Sequence, residues 1–547
     1  MGRGCLTLST IDVAVVIAYA IGIFSLAQWV SRERAGHEKD TSDYFLASKN
    51  LPWWAIGSSL IAANISAEQI VGMSGSGYAI GLAIASYEWM AAATLLIVGK
   101  YFLPIFLANH IYTMPQFLER RYGGLIRTLM ALFWLALYVF VNLTSIIWLG
   151  SIAVNKVAGI NQDIALIMLG GFALLYQIRG GLKAVALTDI VQVSLLVLGG
   201  LIVAYLTLTK IGAGNLLTGF DKLVASAPSH FHMILKKGDP HYVDLPGLSV
   251  LIGGMWIANI SYWGFNQYII QRALAAKNLD EAQRGVIFAA FLKLVMPLII
   301  VLPGIAAVVL APGLGKPDEA YPTMMRILPP GLLGLVFAAL VAAIIASTAS
   351  KINSIATIFT LDLYAKRRHE RTRAEDDFGE SARDEKHLVL VGRLTAVTAI
   401  VIAILTARPL VGSSEQAFQF IQEFTGFFTP GITVIFLLGL FWKRANEAGA
   451  IVAALTSVLL STTMKFTLPA APLPQSLNDY LTPFMNRMGV VFIVSLVLAV
   501  LVSLGTAREP GKDTIETSKV RYATSATFNV AALGIVLILI ALYATWW

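Results

Sequence analysis

The chain reads as an all-α protein that crosses a membrane many times. Three observations carry that reading. Of its 547 residues, 57% are hydrophobic and only 13% are charged, against about a quarter charged in soluble domains. The apolar residues fall in runs of about 20, the length that spans a hydrocarbon core as a helix. One run, from Ser58 to Met90, is interrupted by Asn64, Ser66, Glu68 and Gln69, with Gly72, Gly75 and Gly77 following. Backbone freed by such a break is tolerated at membrane depth only where it lines a cavity. Broken helices of this kind hold substrate and coupling ion in secondary transporters.

About fourteen spans are expected. The first, 10–30, is too long for a cleavable signal peptide, and no small-residue cleavage pattern follows it. The start MGRGCL also lacks the Ser or Thr of a myristoylation signal. Spans 53–79 and 80–107 share the interrupted run. Next come 124–153, with Asn142, then 161–178, then 185–208, with Asp189 near its start. Span 247–271 is expected to break near 258–263, within WIANISYWGFNQY. Span 284–311 carries Lys293, 332–364 carries AAIIASTAS, 389–407 follows, and 415–441 contains AFQFIQEFTG. Spans 447–466, 484–505 and 525–546 complete the set. No stretch is long and polar enough for a separate soluble domain, so 1–547 is one multi-pass unit.

The net charge of +8 is a membrane signal, not a nucleic-acid one. With alternating spans, most Lys and Arg fall on one side, including 31–52, 118–127 and the KRRHERTR run in 366–393. The positive-inside rule makes that side cytoplasmic and places both termini outside. The loop 366–388 mixes acids and bases and reads as a solvated connector. A single cysteine, Cys5, excludes an internal disulfide.

Polar groups inside a bilayer cost free energy and each needs an account. One Asn or Ser is explained by helix adhesion, worth about 0.6 kcal/mol per hydrogen bond. A cluster from several spans at similar depth is not. Gln69, Glu88, Asn142, Asn259, Lys293 and Gln422 form such a cluster, with Tyr262 and Trp263 beside them. Amides, one carboxylate and one ammonium match hydroxyls that donate and accept at once. Aromatic rings pack on the flat faces of a sugar. The alternative is that Glu88 and Lys293 form a structural ion pair.

The strings IAANISAEQ, GMSGSGYAIGLAIASYEWM, GFNQYIIQR, AAFLKL and NSIATIFT resemble the sodium/solute symporter family nearly end to end. That family also holds the animal sodium/glucose cotransporters. The resemblance implies the leucine-transporter fold. Its two inverted five-helix repeats would lie in 53–208 and 247–441, with 10–30 and 447–546 outside the core. It implies sugar contacts at Gln69, Glu88, Asn142, Asn259, Lys293 and Gln422. It implies an inner gate at Tyr262 held by Asn64, and an outer gate at Met73, Tyr87 and Phe418. Ala91 stands where the family has a serine.

The resemblance also implies a sodium site formed by the carbonyls of Ala62, Ile65 and Ala343 and the Ser347 hydroxyl, with Asp189 on the exit path. The family has two adjacent hydroxyl residues here, and Ala346 replaces the first. Water or Thr348 could substitute, though Thr348 points about 100° further round the helix. Lys351 replaces an apolar residue one turn beyond Ser347. It either snorkels to the cytoplasmic edge, pairs with Asp189, or acts as a fixed charge in place of a cation.

The expected function is sodium-coupled symport of a monosaccharide, galactose or glucose, by alternating access in a bacterial plasma (inner) membrane. Sodium is the coupling ion and no organic cofactor is expected; the partners are the sugar and the bilayer. Two alternatives stay open. One is a sodium-independent carrier, proton-coupled or passive, built on Lys351. The other is a non-transporting sugar sensor. No metal-ligand set, nucleophile elbow or phosphate loop points to an enzyme.

Overall fold

A computed structural model describes residues 8–31, 51–111, 113–179, 182–365, 381–467, 474–506, 515–517 and 520–547. Regular structure among them is helical, apart from an isolated bridge between Leu51 and Ala276. Ten helices are long and apolar enough to cross a bilayer, or eleven if one bent pair counts as a span. The expectation of about fourteen is not met by that measure. The described apolar stretch of the fifth expected span is short, 162–177, and the second is divided into pieces.

The elements that build the site are, in order, α1 (Thr10–Ser31), α2 (Trp53–Asn64), α3 (Glu68–Met73), α4 (Ser74–Ala79) and α5 (Ser86–Ile97). They continue with α6 (Leu137–Leu143), α7 (Gln162–Arg179), α8 (Leu182–Ile211), α9 (Gly254–Ile260) and α10 (Ser261–Phe265). The last are α11 (Leu279–Leu310), α12 (Leu332–Thr357), α13 (Ser381–Thr406), α14 (Ala417–Thr425) and α15 (Thr429–Phe441).

Both expected breaks exist, with the same local chemistry. After α2, Ile65 is extended (φ −72°, ψ 112°). The Ser66 hydroxyl then accepts the Glu68 N–H at 3.2 Å, and the Ser66 carbonyl accepts those of Gln69 and Ile70. A short polar side chain thus restarts the helix, as at an N-cap. The second break lies later than expected. Residues 258–265 are helical, and Asn266 is the extended residue (φ −79°, ψ 117°). Its side chain accepts the Tyr268 N–H at 3.1 Å. Asn266 supplies the cap that the 258–263 window lacks. The expected span 415–441 is bent by 45° between α14 and α15, just before Pro430 in the first turn of α15.

Two packing groups meet at the breaks. Helix α11 packs on α2, α4 and α5, whereas α12 packs on α1, α7 and α13; α8 packs on both α11 and α12. The first group is close-set. A Cβ at Gly77 would lie 2.8 Å from the Val301 carbonyl, and one at Gly304 would strike the Ser74 carbonyl. Small residues permit such backbone approach where lipid gives helices no hydrophobic drive to associate.

Candidate functional site

Elements α3, α6 and α10 are wound as wide π turns. Turns of that type sit most often at functional sites. Here they carry Gln69, Met73, Asn142, Tyr262 and Trp263.

A connected polar network links the first break to the second. Lys293 of α11, 1% exposed, makes an ion pair with Glu88 of α5 at 2.6 Å. Its ammonium also donates to the Asn64 side-chain oxygen. Asn64 in turn donates from Nδ2 to the Tyr262 hydroxyl at 3.2 Å. The ammonium lies 5.1 Å from the Trp263 ring centre, within cation–π range. Asn64, Glu88, Lys293, Tyr262 and Trp263 are therefore one assembly. The ion pair named as the structural alternative is present, and it sits inside the candidate site.

Among the described residues no hydrogen bond joins the other expected sugar contacts to this core. The Gln69 side-chain oxygen is buried and accepts no hydrogen bond among the described residues. Asn259 is buried and donates to the Met255 carbonyl of its own helix at 3.0 Å. Gln422 follows Phe418 by one turn on α14, which packs on α3 and α6. Asn142 stands beside the Glu68 carboxylate. Ala91, 2% exposed, lies on α5 one turn beyond Glu88. Of the three residues expected at an outer gate, Tyr87 and Phe418 make an edge contact at 5.1 Å, and Met73 is fully buried.

A pocket gathers all four residues expected around the ion: Ala62, Ile65, Ala343 and Ser347. Ala346 lines it too, so the missing hydroxyl faces the pocket. Thr348 is not among the residues that line the pocket. It is buried and its hydroxyl donates to the Ile344 carbonyl at 2.7 Å. Gln192, Val193, Tyr268 and Ser350 complete the lining, and sequence reasoning gave them no role. Gln192 was findable as an amide inside the apolar run IVQVSLLVLGG. Tyr268 was findable only through its cap at Asn266. The Asp189 side chain lies outside the described residues. Lys351 does not snorkel: it is 5% exposed, held between the Tyr138 and Tyr268 rings.

Fold and site together define a multi-pass membrane protein organised around two interrupted helices, with a polar cage and an oxygen-lined pocket beside them. The pattern of the sodium:solute symporter family matches residues 44–457. The chain is 48% identical over 559 residues to the sodium/glucose cotransporter of Vibrio parahaemolyticus, covering 99% of each. It is 34% identical to sodium/myo-inositol cotransporter 2 of Bos taurus, covering 83% of this chain and 69% of that one. A solved Na+-coupled sialic acid symporter superposes with a TM-score of 0.72 at 22% identity, covering 91% and 99% of the two chains. The Mhp1 nucleobase-cation symporter superposes with a TM-score of 0.54 at 11% identity, covering 89% and 100%. These two share its fold. The chain belongs to the sodium:solute symporter family.

Proposed function

We propose that this protein is a sodium-coupled symporter of a neutral monosaccharide, glucose or galactose, working by alternating access. The carrying observation is the polar network between the broken helices, together with the Gln69 oxygen on α3, buried as an unused acceptor. A buried acceptor without a donor is costly, and a sugar hydroxyl supplies that donor. The Glu88–Lys293 pair and Asn64 offer further acceptors and donors to a ring of hydroxyls. The 48% identity to a sodium/glucose cotransporter supports the same substrate class.

In this reading the leucine-transporter repeats occupy 53–208 and 247–441, and both termini face outside. Sodium binds between the Ala62 carbonyl of α2, the Ile65 carbonyl at the break and the α12 groups of Ala343 and Ser347. It thereby joins the two packing groups, with Asp189 on its exit path. Met73, Tyr87 and Phe418 close the outer side, and Tyr262, held by Asn64, closes the inner side. One sodium crossing 100 mV with a tenfold gradient supplies about 3.7 kcal/mol, enough for roughly 500-fold sugar accumulation.

The test is tracer glucose uptake into proteoliposomes, with an inward sodium gradient or with choline in its place. Accumulation above equilibrium only with the sodium gradient is expected. Equal accumulation in both media rejects the coupling. Binding without any uptake would leave a sensor.

A further inference from the structure

Lys351 is a buried charge that the transport scheme above leaves without a task. It stands on α12 one turn beyond Ser347, on the face that lines the ion pocket. Its ammonium lies 4.9 Å from the Tyr138 ring centre and 4.5 Å from that of Tyr268. Tyr268 is itself tied to the first break, because its hydroxyl donates to the Ala63 carbonyl at the end of α2. Two charges bear on the ammonium: Glu68 attracts it and Arg272 opposes it. The Arg272 guanidinium packs 5.2 Å from the Tyr268 ring centre and donates to the Ser59 hydroxyl at 2.8 Å. Glu68 opens α3 directly after the break, with Ser66 and Asn142 at its carboxylate.

The Lys351 ammonium on α12 is therefore drawn toward the Glu68 carboxyl at the start of α3, beside the pocket read as the sodium site. Sodium in that pocket would connect α2 to α12. The Lys351–Glu68 attraction connects α3 to α12 with no ion bound. The same ammonium also repels a cation one turn away. In this low-dielectric setting that repulsion acts with little screening by salt.

Resting on the sodium-coupled reading above, we propose that Lys351 sets the degree of sodium dependence. Its tethered ammonium, drawn to Glu68, supplies part of the hold between the packing groups that sodium otherwise supplies, and it weakens sodium binding. The wild-type protein then combines a high sodium half-saturation concentration with measurable sugar uptake in choline.

The experiment is tracer glucose uptake in proteoliposomes over a sodium series and in choline, for wild type, Lys351→Met, Lys351→Gln, Glu68→Gln, the Lys351→Met/Glu68→Gln pair and Ser347→Ala. Removing the ammonium is expected to lower the sodium half-saturation concentration about fivefold and to shrink the choline fraction. Glu68→Gln is expected to raise half-saturation, since the ammonium loses its partner. Because Glu68→Gln acts through the ammonium, the paired variant is expected to match Lys351→Met alone, a non-additivity that a purely structural lysine would not produce.

A half-saturation within about twofold of wild type in both Lys351 variants, with the choline fraction unchanged, overturns the proposal. So does loss of sugar binding in both Lys351 variants when the protein remains monodisperse. If neither Lys351 variant yields folded protein, recovery in the pair supports the link, and no recovery overturns it. Ser347→Ala separates the two readings. If it leaves sodium dependence unchanged, the pocket assignment itself fails. If it shifts sodium dependence and the Lys351 variants do not, only the present proposal fails.

Discussion

Lys293→Ala divides a structural role from a transport role. The Lys293 and Glu88 side chains are 1% and 3% exposed and 2.6 Å apart. Removing one partner of a buried pair leaves an uncompensated charge, which costs about 3–5 kcal/mol. The variant also loses the donor to Asn64. Lys293→Ala alone is therefore expected to lower stability by about 3–5 kcal/mol. Lys293→Ala/Glu88→Gln is expected to recover most of that loss, because the orphaned carboxylate is gone. Uptake is expected to vanish in both, since the cage has lost the groups that face the sugar. The assays are thermal unfolding of the detergent-solubilised protein and tracer glucose uptake in proteoliposomes. A doubly substituted protein that regains both stability and uptake would refute the reasoning, leaving the pair as helix adhesion.

Three other perturbations rest on the same geometry. Tyr262→Phe removes the acceptor at 3.2 Å from Asn64; at about 1 kcal/mol for a hydrogen bond, glucose KM should rise about fivefold, read from uptake kinetics. Ser347→Ala deletes the remaining side-chain oxygen expected around sodium and should raise the sodium half-saturation concentration about tenfold, the effect of one oxygen ligand worth roughly 1.4 kcal/mol, with sugar KM at saturating sodium little changed. Asp318 lies in the connector between α11 and α12, where burial pushes its carboxyl up to about 7. A raised carboxyl contributes stability that is full below its unfolded value and is lost as pH rises through about 7. Asp318→Asn, which keeps an acceptor for the Ala417 N–H at 3.1 Å, should therefore melt higher than wild type at pH 8. That advantage should shrink by pH 5.

The helical class and the first break were legible because both rest on composition and on polar residues adjacent in the chain. Asn64-Ile65-Ser66 announces its own interruption: an amide, an extended residue and a hydroxyl that caps the next helical turn. The second break was placed too early because Asn259 and Tyr262 attract the eye, yet the capping side chain is that of Asn266. The ion-pocket residues were carried by resemblance, and the structure brings those four together. Gln192 and Tyr268 join them by tertiary packing alone, which no local spacing encodes. For Lys351 the sequence could show an anomalous charge but not its surroundings. Two tyrosines from distant segments decide those. Among the described residues ten or eleven helices are long enough to span, because breaks divide the others into shorter pieces.

The glycine contacts at 77 and 304 bear on how such a molecule can rearrange. Backbones that touch without intervening side chains cannot slide past one another, so α4 and α11 must travel as one piece. Lys293 rides on that piece and Gln69 adjoins it, so a guest held by those two would keep its berth intact rather than see it dismantled at each turnover. Ser347 rides on the neighbouring body. In the proposed reading, a cation beside Ser347 would sit like a rivet through the joint between two plates, and its departure would free them to rock apart.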